Sequence, residues 1–285
     1  MGASFLITLR EGLEISLVLA ILVSYLVKSG RRDSVADVWR GGILAGAFCV
    51  VAGLLFHWFV GEFDGKPEKF IEGTIAIVAA GVLTWMIFWM REHSRSMGAE
   101  FRARIDAADT HRAIVMIAFA AVLREGLETV LFLLSAETAS ASGSAVVVGG
   151  LLGLVVAAVL GRLLYLGGHK LNLRAFFNVT GALLILFAAG LFGKFFHEYR
   201  ELFGFESGWL VSPAWTITHG AWGSGTFYDF MKGFFGWHNE AENIRVIAYF
   251  AYLVPVTWLF IRGSRDASPV SGGSRDEADR STPVG

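Results

Sequence analysis

The sequence predicts an all-α, polytopic membrane protein with seven transmembrane helices, built as a 3+3 inverted repeat plus one extra helix. Three observations carry that expectation: the share of apolar residues, the placement of the basic ones, and a five-residue string that occurs twice. Of 285 residues, 54% are hydrophobic and 17% charged, with a mean hydropathy of +0.56. That is too apolar for an ordinary soluble domain. A helix crossing a hydrocarbon layer about 30 Å thick needs roughly 20 apolar residues, and in lipid all of its backbone groups must bond within the segment.

Apolar runs meet that length near 4–27, 41–63, 70–91, 112–137, 144–167, 175–199 and 245–262. Residues 1–9 hold no base, and Arg10, Glu11 and Glu14 follow at once. This is unlike a cleaved leader, so the first helix is expected to be retained. Basic residues gather in alternate loops: Lys28, Arg31, Arg32 and Arg40, then Arg91 to Arg112, then Arg162, Lys170 and Arg174, and last Arg262 to Arg280. The positive-inside bias places these loops in the cytoplasm, with the N-terminus outside and the C-terminus inside. The expected organisation is a transmembrane domain over 1–262 and a polar, disordered cytoplasmic tail over 263–285. Within the domain, repeat one covers 1–100, repeat two 112–203, an outer loop 204–244 and helix seven 245–262. The outer loop carries Trp209, Trp215, Trp222 and Trp237 and is expected to lie against the membrane interface.

The repeat rests on particular residues. Arg10-Glu11-Gly12-Leu13-Glu14 returns as Arg124-Glu125-Gly126-Leu127-Glu128. Gly41, Gly42 and Gly53 return as Gly149, Gly150 and Gly161, and Ala79-Ala80-Gly81 as Ala188-Ala189-Gly190. Three helices per unit is an odd number, so the second unit enters from the opposite side, with an ion site expected at the repeat interface. Gly42 with Gly46 and Gly149 with Gly153 have the small-xxx-small spacing of close helix contacts, within a chain or between chains. A net charge of −1 and a pI near 6.7 exclude a nucleic-acid binder driven by bulk positive charge. The single cysteine, Cys49, excludes an intrachain disulfide or a thiolate cluster.

Helical spacing puts Arg10, Glu11 and Glu14 on one face, and Arg124, Glu125 and Glu128 on another. Each charge costs about 2.5–3.5 kcal/mol at the bilayer centre, against roughly 0.3–0.6 gained per large apolar residue. Three such charges nearly cancel a helix's insertion drive, so they must face the bundle interior. Carboxylates outnumber arginine by one in each string, and surplus carboxylate oxygen suits a hard cation. The candidate metal ligands are Glu11, Glu14, Glu125, Glu128 and Glu72, and Glu72 would bring the site towards the charge of a ferric ion. Arg10 and Arg124 are the residues expected to orient the carboxylates. A purely structural use of the strings, with each arginine serving a carboxylate of the other helix, is the competing reading. His57 and His197 both fall towards outer helix ends, which raises a haem-binding membrane redox protein as an alternative. A permease for lead or another divalent metal is a further one, because carboxylates alone discriminate poorly.

These residues resemble the oxidase-dependent iron permeases of fungi and their bacterial Efe-type iron uptake relatives. The two intramembrane strings in helices one and four are that family's hallmark. Thr84-Trp85-Met86-Ile87-Phe88-Trp89-Met90-Arg91 and a glutamate opening helix three, here Glu72, are also similar. The resemblance covers roughly residues 1–262. It implies iron import across the cytoplasmic membrane, the inner membrane of a bacterium if the short, compact loops mark a bacterial member, with Glu11, Glu14, Glu125 and Glu128 binding iron in transit. It also implies iron as transported substrate with no permanent cofactor, and periplasmic iron-delivery and iron-oxidising Efe-type partners. Fungal members carry an Asp-Ala-Ser-Glu motif in the last outer loop, where this chain has Asn239-Glu240-Ala241-Glu242. Candidate outer capture residues are His197, Glu198, Asp229, His238, Glu240 and Glu242, with Glu201 beside them.

Overall fold

The computed structural model describes residues 1–60, 63, 65–93, 97–140, 143–165 and 173–265. Among them the helices are α1 (Gly2–Lys28), α2 (Val35–Val60), α3 (Lys66–His93), α4 (Met97–Asp106), α5 (His111–Ala139), α6 (Gly143–Tyr165), α7 (Leu173–Leu202), α8 (Thr226–Phe235) and α9 (Asn243–Arg265). Two short strands, β1 (Pro213–Thr216) and β2 (Glu240–Glu242), pair antiparallel. Five helices, α2, α3, α6, α7 and α9, are long and apolar enough to cross a membrane. The protein is therefore an all-helical, multi-pass membrane protein in its main architecture. Helices α1 and α5 are as long, at 27 and 29 residues, but each carries a charged string mid-helix.

Sequence chemistry accounts for the boundaries. Thr110 caps α5, its side chain accepting from the Ala113 N–H at 3.2 Å. Gly236 ends α8 at φ 67, a left-handed conformation that glycine adopts without strain. On α2 and α6 the faces away from the bundle are apolar and uncovered, with Ile43, Val50, Leu54, Val147, Leu151 and Val155 exposed. Such faces suit lipid.

The helices pack in exchanged pairs. Helix α1 lies chiefly on α6, α2 on α5 and α3 on α7, while α1 and α5 also meet and α9 covers α7. Glycines set the distances. Gly12 faces the Ala157 side chain and Gly126 faces Cys49; Gly41 faces Ala118 and Gly149 faces Ser4; Gly53 faces Val130 and Gly161 faces Ser16. Ser4 stands to Ala118, and Ser16 to Val130, as Arg10 stands to Arg124. Every contact of α1 with α6 in this series thus has its counterpart between α5 and α2. Between α3 and α7, Ala76, Ala79, Ala80 and Ala188 let the backbones close together, and Leu83, Leu184, Phe187 and Leu191 fill the largest core cluster.

Several sequence expectations need correction. Helix α2 begins at Val35 rather than 41; its first turns carry the polar Asp37 and Arg40, paired at 2.9 Å, so they lie ahead of the apolar run. A short helix, α4, fills a stretch read as loop; its polar residues gave no apolar run to detect, and Tyr25 of α1 holds its Asp106 at 2.6 Å. The segment 204–244 is structured by α8 and the β1–β2 pair. Helix α9 continues to Arg265, past the expected start of the tail. The remainder of that tail, 266–285, lies outside the described residues, as do the end of the expected fifth helix and the base at 170.

Candidate metal site

Helices α1 and α5 meet at their charged strings. Within each string the arginine turns to its own helix: Arg10 Nε donates to Glu14 Oε1 at 3.1 Å, and Arg124 Nε to Glu128 Oε1 at 3.2 Å. The competing reading, in which each arginine serves the other helix, does not match these pairs. Four-residue spacing on one helix is the shorter reach. The pairs leave Glu11 and Glu125 without a cationic partner, and both are buried.

One oxygen each from Glu11, Glu14 and Glu125 lies within 4.8 Å of the other two. Ligand oxygens on opposite sides of one hard cation are separated by about that much, since metal–oxygen distances run near 2.0–2.6 Å. Both Glu11 oxygens, together with Oε2 of Glu125 and Glu128, are buried without a hydrogen-bond partner. Unsatisfied buried carboxylate is costly, and its concentration at one point is a feature of sites built for a ligand. Glu128 stands outside the trio, paired with Arg124. Gly12 and Gly126 allow the approach: a Cβ on Gly12 would come within 2.7 Å of Ala157, and one on Gly126 within 2.5 Å of the Cys49 sulfur.

The two arginines differ. Arg10 is sealed, with 2% of its side chain exposed, whereas Arg124 is 37% exposed. Its guanidinium lies 4.2 Å from the Trp89 ring centre and 5.7 Å from that of Trp85. The aromatic segment closing α3 therefore meets the second string directly.

Glu72 is placed elsewhere. Lys194 of α7 donates to its carboxylate at 2.6 Å and to the Thr138 carbonyl at 2.5 Å, and lies 4.0 Å from Glu198. Sequence reading missed Lys194, a lone lysine in an apolar run that offered no motif. With its charge balanced there, Glu72 does not add to the surplus of the trio.

Around the end of α7 the candidate capture residues separate into groups. His197 Nδ1 lies 3.1 Å from Glu242 and its Nε2 3.5 Å from Glu201, while Arg200 reaches Glu242 at 2.8 Å and Lys69 pairs with Glu201. His197, Glu198, Glu201 and Glu242 thus form one network. Asp229 belongs to α8 near the N-terminus, Glu240 is exposed in β2, and the His238 ring lines a pocket of basic side chains rather than this network. His57 is taken by Glu137 at 3.1 Å. Each histidine of the suggested haem pair therefore has its own carboxylate.

A family model described as Iron permease FTR1 family matches residues 1–264. The chain is similar to the protein named Ferrous iron permease EfeU from Escherichia coli O6:H1 (strain CFT073), at 37% identity over 279 residues, covering 95% of this chain and 99% of that one. The protein of the same name from Yersinia pestis is 36% identical over 276 residues, covering 94% and 96%. No solved structure matches.

Proposed function

We propose a path for iron from one premise: the chain belongs to the iron permease FTR1 family, and it is a transporter rather than an enzyme. In this reading Glu11, Glu14 and Glu125 bind iron in transit across the cytoplasmic membrane. The observation that carries it is the buried trio whose oxygens lie within 4.8 Å, with both Glu11 oxygens lacking any partner. Glu128 completes the set as the helices shift, and Arg10 and Arg124 orient the carboxylates they pair with. Iron is cargo, and no permanent cofactor takes part.

Charge favours the ferrous ion. Arg10 and Arg124 balance Glu14 and Glu128, and Lys194 balances Glu72, so two negative charges, those of Glu11 and Glu125, remain for the cargo. A divalent ion neutralises them, which fits the ferrous iron in the relatives' names. Lead and other divalent ions meet the same charge count and differ in size and preferred geometry.

Seven spans, with α1 and α5 joining the five apolar helices, give the inverted 3+3 arrangement with α9 added. The exchanged glycine contacts support it, since those of Gly12, Gly149 and Gly161 between α1 and α6 match those of Gly126, Gly41 and Gly53 between α5 and α2, as a two-fold relation would require. Basic loops put the N-terminus outside. The end carrying 203–242 is then outer, where His197, Glu198, Glu201 and Glu242 gather iron handed over by periplasmic Efe-type partners, with Glu72 at the mouth of the path. The sealed Arg10 and more open Arg124 correspond to a state closed outside, from which the repeats rock to the opposite one.

The test is uptake of radioactive iron by vesicles reconstituted with purified protein, offered ferrous or ferric iron separately. Ferrous uptake that saturates and vanishes in Glu11→Ala is the expected result. Equal uptake by the variant, or uptake of ferric iron alone, overturns the assignment.

A further inference from the structure

Beneath the 203–242 segment lies a small pocket whose chemistry is opposite to that of the metal site. Lys194 of α7, Lys232 of α8, His238 and Arg245 of α9 all line it, its remaining lining is apolar or glycine, and no carboxylate is among the lining residues. Gly190 and Gly236 touch backbone to backbone at its wall: a Cβ on Gly190 would stand 2.9 Å from the Gly236 Cα. That contact clamps the end of α8 onto α7 and keeps the basic groups together.

Arg245 is the informative residue. Its Nε is buried with no hydrogen-bond partner. The carboxylates that attract it, Glu198 and Glu242, are engaged by other cations, Glu198 near Lys194 at 4.0 Å and Glu242 by Arg200 at 2.8 Å. A buried guanidinium nitrogen without an acceptor is costly unless something else supplies one.

We infer that this pocket binds one small inorganic anion, held by Arg245 and Lys232, with Lys194 and His238 also lining it. The room available is about that of one water, which favours a monatomic anion such as chloride over the larger phosphate. The anion balances Arg245 and joins α7, α8 and α9 at the point where the segment between them folds back. This assignment does not depend on iron being the cargo.

The experiment is chlorine-35 NMR line width on the full-length protein in lipid nanodiscs, titrated with potassium chloride. Wild type should show excess broadening that saturates, is displaced by bromide and is unaffected by phosphate. Arg245→Gln should remove it, and Lys232→Ala, a change nearer the surface, should weaken apparent affinity several-fold in a protein that still elutes as a single species. Arg245→Lys should restore part of it. Broadening in wild type that never saturates, that phosphate displaces, or that survives unchanged in both Arg245→Gln and Lys232→Ala overturns the proposal.

Discussion

Arg10 and Arg124 hold the same place in identical strings, yet one side chain is 2% exposed and the other 37%. The string itself settles what is common to both: the four-residue spacing, the arginine–glutamate pair and the glycine that lets another helix approach. The neighbours settle the rest. Arg124 rests on Trp85 and Trp89 of α3. Aligned through Ala-Ala-Gly, the matching positions of α7 are Lys194 and Glu198, which belong to an ion network with Glu72. The matching positions of the two helices therefore carry indoles in one case and paired charges in the other, and a duplicated motif does not imply duplicated surroundings.

The largest expected effect tests whether the trio works as a unit across that difference. Glu11→Ala and Glu125→Ala should each reduce ferrous iron uptake in vesicles to background, although one comes from the sealed string and the other from the open one. A variant retaining uptake would split the site and leave one string structural. The same changes should not harm folding. Replacing an unpaired buried carboxylate with an apolar group removes a desolvation cost, so Glu11→Leu should stabilise the protein by about 1–4 kcal/mol, read as a higher melting temperature in detergent.

The arginines should separate next. Removing one partner of a buried pair costs about 3–5 kcal/mol, because the remaining charge is stranded. Arg10→Gln strands Glu14 in a sealed setting and should show that loss in melting experiments. Arg124→Gln leaves Glu128 nearer to open space and should cost about 1–2 kcal/mol, from the weaker pair and the lost aromatic contact. Equal losses would mean that the exposure difference has no energetic content.

How much of this could be read from the residues alone depends on the range of the interaction. The trio was legible because helical spacing and the cost of membrane charges act within one segment, and Arg10, Glu11 and Glu14 carry both signals. The repeated glycines marked close helix contacts, but not which helices meet there, since that depends on packing between distant segments. Lys194 was not, because its meaning depends on Glu72 and Thr138, far away in sequence and on other helices. The separation of His238 from His197 had the same origin: both look like capture residues in a polar loop until folding sets one among bases and the other among acids. Helix α4 and the β1–β2 pair went unseen because neither has an apolar period of membrane length.

Close approach gives a smaller and more symmetric comparison. A Cβ on Gly126 would meet the Cys49 sulfur at 2.5 Å, and one on Gly12 the Ala157 Cβ at 2.7 Å. Overpacking at such contacts costs about 1–3 kcal/mol. Gly126→Ala should therefore lower the melting temperature and Cys49→Ala should rescue it, whereas Gly12→Ala should be rescued by Ala157→Gly and by no change at Cys49. Cross-rescue would show that α1–α6 and α2–α5 are not independent seams.

The smallest effect concerns the indole beneath Arg124. A cation over an aromatic face contributes about 0.5–1 kcal/mol when exposed and about 2 when desolvated, and Arg124 stands between those limits. Trp89→Phe keeps a ring face and should change stability least, while Trp89→Leu keeps apolar bulk but removes the face. If the ring acts through the guanidinium, the effects of Trp89→Leu and Arg124→Gln should be less than additive in a double-mutant cycle, with a coupling of about 0.5–2 kcal/mol. Additive losses would reduce Trp89 to a packing residue.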